Sequence, residues 1–158
     1  AIIFSYPVSN PSRYGIVEFD SYGDVISIEE KPKIPKSRYA ITGLYFFDSN
    51  ACKLTKELEP SSRGELEITD LIKKYLKSKK LKVELFGRGM AWFDTGKFDS
   101  LHEAGSYVRT LEKRQGLKLG CPEEVSWRLG WISNEQIRKL VENMKNSEYG
   151  EYLNSLVE

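Results

Sequence analysis

Four short clusters in the chain set charged side chains beside glycine or aromatic residues: "YG" at 14 and 15, "EEKP" at 29 to 32, "RGELE" at 63 to 67 and "WFDTG" at 92 to 96. Lysine and arginine can bind an anion through charge-assisted hydrogen bonds, and an aspartate placed after an apolar run suits a hard cation such as Mg²⁺. Each cluster also has an ordinary reading. Glu30 and Lys31 would serve as the solvated end of a strand, and Asp94 as a turn or helix cap. Glu65, Glu67 and Asp70 precede or open an amphipathic stretch, where acids gain from the helix macrodipole. Arg63 does not fit that explanation, because a cation near a helix N-terminus is unfavourable unless an anion comes with it. Arg63 is therefore the residue that points to a ligand.

Composition narrows what that ligand can be. The 24 lysines and arginines against 23 acids leave a formal charge of +1 over 158 residues, so no global field favours nucleic acid or anionic lipid. The aromatic stripe "GLYFFD" carries no interleaved basic residues and reads as core, not as a base-stacking platform. Two distant cysteines, Cys52 and Cys121, and a single histidine, His102, give no zinc spacing and fit a reducing, cytoplasmic setting. No apolar run reaches the length of a membrane span, and "AIIFSYPVS" is too short and uncharged for a signal peptide. A buried-strand pattern that starts at Ala1 suggests a chain with something before it.

The elements that must position the clusters follow from periodicity. "AIIF" reads as a strand, "YGIVEFD" and "VISIEE" as a hairpin turned by Gly23 or two neighbouring strands, and "YAITGLYFFD" as a strand buried on both faces. Ser49 is placed to cap a short helix reaching about Glu59. Ile68, Leu71, Ile72, Tyr75 and Leu76 have the spacing of a helix with one dry face. "KVELF" and "MAWF" read as two further strands, and about Phe98 to Arg114 as a long helix turning Leu101, Ala104, Val108 and Leu111 inward. Beyond Pro122 only short helices are expected, one opened by a Ser133–Gln136 capping box and the last using Tyr149, Tyr152, Leu153 and Leu156. The fold class is α/β, with a mixed, mainly parallel, Rossmann-like sheet and covering helices over residues 1–115, then an all-helical extension over 116–158.

Taken in order, "YGIVEFD", "EEKP", "ITGLYFFD", "RGELEITD", "GRGMAWFDTG" and "LEKRQG" through "CPEE" closely resemble the bacterial glucose-1-phosphate thymidylyltransferases, of the sugar-1-phosphate nucleotidylyltransferase family. The resemblance covers essentially the whole chain. It implies a nucleotidyltransferase sheet and the conversion of dTTP and glucose-1-phosphate to dTDP-glucose and pyrophosphate, a step towards cell-surface polysaccharide. It also implies roles. Tyr14 and Gly15 match the sugar-contacting pair, Glu30 an acceptor for sugar hydroxyls, and Lys31 the lysine that meets the sugar's phosphate. Ile41 and Tyr45 match residues lining the pocket, Arg63 a phosphate-binding arginine, Glu65 a sugar-side acid, and Asp94 one of two aspartates holding catalytic Mg²⁺. Lys31, Arg63 and Asp94 would carry the catalytic work.

That chemistry suits the residues at hand. The nucleophile is a phosphate oxygen already ionised at neutral pH, so cations and positioning are needed and a general base is not. The family's Gly-rich nucleotide loop, its base-reading residues and its other metal-binding aspartate have no counterpart here, so the resemblance implies the C-terminal, sugar-phosphate portion of such an enzyme. Such a portion should give no turnover alone in a pyrophosphate-release assay. Lys97 stands where the family has threonine after "DTG", and Trp127 and Trp131 resemble its subunit-contact and effector region or serve as core aromatics. Homo-oligomers, commonly tetramers, are the family's rule. Competing readings are the same reaction with another nucleotide, or a non-catalytic module that binds sugar phosphate or only oligomerises.

Overall fold

The β-branched and aromatic opening of the chain forms strand β1 (Ile2–Pro7), and Gly15–Phe19 (β2) and Val25–Glu30 (β3) make the expected antiparallel hairpin. Its turn is closed by Asp20, whose carboxylate accepts the Tyr22 and Asp24 N–H groups at 2.8 and 2.9 Å, with Gly23 at φ 89°. Strands β4 (Tyr39–Phe46) and β5 (Lys82–Leu85) complete a five-stranded sheet of order β3-β2-β4-β1-β5. This computed structural model describes residues 1–144 and 146–158, which divide into two compact units, Ala1–Trp92 and Phe93–Glu158. The units part at residue 92, whereas the sequence division is drawn at 115.

The sheet is mixed, but it is not mainly parallel. Among the described residues only β1 and β5 run parallel; β1–β4, β2–β3 and β2–β4 are antiparallel. The continuous apolar run of β4 suggested a strand buried on both faces. Instead Ala40 and Ile41 are buried while Leu44 and Phe46 are exposed. The reason is the cover: helix α2 (Ile68–Lys77) lays Ile72 against Ile3, Val17, Ile28 and Ile41 on one face. Burying these five apolar side chains contributes roughly 1.5–3 kcal/mol each before conformational entropy is charged against it.

Two local expectations also change. Helix α1 is short (Ala51–Thr55), and its N-cap is Asn50 and not Ser49, with the Asp48 carboxylate accepting the Asn50 N–H at 3.0 Å. "MAWF" is not a strand. Gly87 and Gly89 (φ 92°) turn the chain there, the Met90 carbonyl accepts the Tyr6 hydroxyl at 3.1 Å, and the Trp92 indole N–H donates to the Thr42 carbonyl at 3.0 Å. Side chains fix this segment in place of a ladder.

The second unit is helical. Helix α3 (Phe98–Gln115) has the predicted length and ends at left-handed Gly116, yet none of its residues is buried, and Leu101 and Val108, expected inward, are exposed. The core of this unit belongs to α4 (Pro122–Arg128), α5 (Asn134–Glu142) and α6 (Glu148–Ser155), through Cys121, Ile137, Leu153 and Val157. The Ser133–Gln136 capping box opens α5 as read from sequence. Trp127 packs on this core and donates to Asn134 at 2.7 Å, whereas Trp131 is exposed. No helix among the described residues is long and apolar enough to cross a membrane.

Candidate functional site

Strand register places the first two clusters together. Gly15 opens β2 directly opposite Glu30, the last residue of β3, and the Lys31 N–H then donates to the Tyr14 carbonyl at 3.0 Å. Lys31 adopts φ 41°, a left-handed conformation that lysine seldom takes, and it turns the chain sharply where β3 stops. Glycine at 15 is a packing requirement. A Cβ there would stand 2.8 Å from Thr69 Cγ2, 3.2 Å from Glu30 Oε2 and 3.4 Å from Ile41 Cδ1. Gly15, Glu30, Ile41 and Thr69 therefore crowd one spot and leave no room for a side chain at 15.

The third cluster reaches the same spot from the other side. The Ser61 N–H donates to the Glu65 carbonyl and the Gly64 N–H to the Ser61 carbonyl, both at 2.8 Å, making a tight loop with Gly64 at φ 78°. Its tip presents Arg63. The guanidinium bonds to Glu65 through Nη2, lies 3.8 Å from Glu30 Oε1 through Nη1, and 3.7 Å from Glu67 through Nε. Lys31 Nζ is 4.0 Å from that same Glu30 oxygen, so the two cations proposed for one anion flank a single carboxylate. The Glu65 hydrogen bond, with help from Glu67 and Glu30, holds the Arg63 pKa above its ordinary value. Beside them is a cleft of about 350 Å³ whose lining includes Glu30, Ser61, Arg63, Glu67, Asp70 and Lys73.

The remaining predicted residues divide between the two units. Ile41 is buried in the core, and Tyr45 packs against it, stacked on Phe47 at 5.8 Å. Burial first, then the neighbouring Glu30 charge, push the Tyr45 phenol above its usual pKa. The Tyr14 ring meets Trp92 edge-on at 5.2 Å. Asp94 lies in the second unit, outside any strand, where its carboxylate accepts the Gly96 N–H at 3.3 Å. Its hard oxygens fit one ligand position of a Mg²⁺ ion. Among the described residues no group of three His, Cys, Asp or Glu is placed to hold a metal.

Three neighbours of the site escaped the sequence reading. Glu67, taken as an acid favouring the helix start, has a side chain only 10% exposed and accepts the Ser61 hydroxyl at 2.8 Å. Thr69 is 1% exposed, and its hydroxyl has no hydrogen-bond partner among the described residues. Trp92 was read as part of a strand but braces Tyr14 and β4. Only for Glu67 was there a signal, an acid close to the suspect arginine.

The mixed sheet thus carries, at one corner of the first unit, the Gly15–Glu30–Lys31 turn with the Arg63 loop beside it. Residues 1–110 match the nucleotidyl transferase family model, and the chain belongs to that family. It is 50% identical over 153 residues to a glucose-1-phosphate thymidylyltransferase of Neisseria meningitidis, covering 97% of this chain and 53% of that protein. It is 52% identical over 156 residues to one of Mycobacterium tuberculosis, covering 99% and 54%. The chain thus spans about half the length of the curated relatives it matches. Among solved structures, a protein from Bacillus anthracis provisionally assigned as a glucose-1-phosphate thymidylyltransferase, bound to sucrose, has a TM-score of 0.61 and 42% identity over 68% of this chain and 43% of its own. A UDP-glucose pyrophosphorylase bound to UDP-glucose has a TM-score of 0.59 over 69% of this chain and 44% of its own; at 24% identity it speaks for the fold alone.

Proposed function

We propose that this chain carries the sugar-phosphate half of a glucose-1-phosphate thymidylyltransferase, in which glucose-1-phosphate attacks dTTP to give dTDP-glucose and pyrophosphate. The observation that carries the reading is the meeting of Gly15, Glu30, Lys31 and Arg63 at one corner of the first unit. Gly15 and Tyr14 contact the sugar, and Glu30 accepts sugar hydroxyls. Ile41 and Tyr45 line the apolar side of the ring, and Glu65 serves the sugar face. Lys31 and Arg63 bind the phosphate, whose oxygen needs orientation and no base. Asp94 would provide one oxygen ligand to a Mg²⁺ ion, a Lewis acid that would offset negative charge on a phosphate. The exposed apolar side chains Val125, Leu129 and Trp131 support a homo-oligomeric enzyme.

Calorimetric titration of the chain with glucose-1-phosphate tests the reading. Binding should weaken roughly tenfold or more in Lys31→Ala and in Arg63→Ala, since each removes a charge-assisted contact. Absence of binding by the unaltered chain, or affinity in the two variants unchanged from that of the unaltered chain, would overturn it.

A further inference from the structure

Arg63 is an anion-binding candidate whose charge is already answered three times over, and the three carboxylates around it are held very differently. Glu67 is 10% exposed and locked by the Ser61 hydroxyl. That same Ser61 oxygen accepts the Arg63 N–H at 3.2 Å, so loop backbone and carboxylate are fixed together. Glu30 is 19% exposed and sits at a strand end against Gly15. The Glu65 side chain is 62% exposed, and among the described residues its carboxylate bonds to Arg63 alone. Left-handed Gly64 folds the chain so that these two side chains, two residues apart, can meet.

A phosphate arriving at Arg63 must therefore compete with a carboxylate, and only one of the three can leave cheaply. An exposed ion pair holds by little, because solvent screens it and both side chains regain freedom on release. A phosphate offers more charge and three acceptor oxygens. Resting on the sugar-phosphate reading above, we infer that Glu65 is a displaceable stand-in for the substrate's phosphate. It occupies Nη2 of Arg63 in the free protein and yields it on binding, while Glu67, locked by Ser61, keeps Nε of the guanidinium aimed. The released carboxylate is then free to accept a sugar hydroxyl. The exchange keeps a cation at a helix entrance paired at every stage.

The test is titration of the full chain with inorganic phosphate and, separately, glucose-1-phosphate, in the unaltered protein and in Glu65→Gln, Glu67→Gln and Ser61→Ala. Inorganic phosphate makes no sugar contacts, so Glu65→Gln should bind it roughly two- to fivefold more tightly, the scale of an exposed pair removed. Glu67→Gln and Ser61→Ala should bind it more weakly, with circular dichroism confirming that each remains folded. Unchanged or weaker phosphate binding in Glu65→Gln overturns the stand-in role while glucose-1-phosphate binding leaves the sugar-phosphate reading intact. Phosphate tightened by Glu65→Gln with no binding of glucose-1-phosphate sinks that reading and keeps the exchange at Arg63. Failure of both anions to bind any form overturns the two together.

Discussion

Two groups of carboxylates, one around Arg63 in the first unit and one on α4 in the second, meet different kinds of partner. In the first, Arg63 faces Glu30, Glu65 and Glu67 at the edge of an open cleft, and Lys31 adds a second cation. In the second, neutral phenols do the pairing. The Tyr149 hydroxyl donates to Glu123 at 2.5 Å and touches Cys121 Sγ at 3.1 Å, and the Tyr152 hydroxyl donates to Glu124, which Arg128 also reaches at 2.7 Å. These bonds tie α6 to the first turn of α4 above a core of Ile137 and Leu153. A phenol has one proton to give and one direction to give it, which suits a fixed joint. A guanidinium among several acids can trade one for another, which suits a site that must admit a ligand.

If the second unit is a structural joint, the largest effect should come from its core. Leu153 is fully buried, so Leu153→Ala should cost about 2–5 kcal/mol, read from urea unfolding followed by far-ultraviolet circular dichroism. A loss below about 1 kcal/mol, less than that range, would mean that α4–α6 are held by something other than this core. The matching test at the first unit's corner is Gly15→Ala. Its methyl would press on Thr69 Cγ2 and the Glu30 carboxylate, and overpacking of this kind costs about 1–3 kcal/mol. Adding Thr69→Ser removes that Cγ2 and should recover most of the thermal stability. Crowding that the second substitution fails to relieve would place the constraint in the backbone instead.

Much of this contrast was visible in the sequence, and the missing part has a physical cause. The dry stripe of α2, save for exposed Ile68, the hairpin at Gly23 and the capping box at Ser133 depend on neighbours within a turn or two, and each appeared where its spacing put it. The β4 and α3 patterns promised burial that their surroundings do not supply, because periodicity says which side is apolar and not whether anything covers it. Strand direction in the sheet was misjudged for a related reason: a continuous apolar run marks a candidate interior strand without saying how it pairs. At the site, Arg63 stood out because its charge opposed the helix dipole. Glu67 did not, since an acid before a helix is ordinary until tertiary packing buries it. The Tyr149–Glu123 and Tyr152–Glu124 pairs link residues 26 and 28 positions apart and left no local trace.

The smallest predicted effect separates the two kinds of pairing by pH. The Tyr149 and Tyr152 hydroxyls lower the pKa values of Glu123 and Glu124 below the ordinary carboxylate value, and Arg128 assists at Glu124. A carboxyl whose folded pKa is depressed contributes stability above its unfolded pKa, about 4.3, and loses it as pH falls through the folded value. The phenols behave in the opposite sense. Burial, and then their hydrogen-bonding partners, raise both, so their contribution is present below about pH 10 and fades as pH rises beyond it. A Tyr149→Phe, Tyr152→Phe double variant should therefore lose on the order of 1 kcal/mol per bond at neutral pH. It should also show a flatter decline in stability between about pH 5 and 3, because the acids then titrate nearer their unfolded values. The Asp48–Tyr75 pair of the first unit, joined at 2.7 Å with the phenol pushed up to about 12, is the internal control: Tyr75→Phe should flatten the same acid limb by a single group's share. An acid limb as steep in the double variant as in the unaltered chain would show that these phenols are passengers on α6 and not its joint.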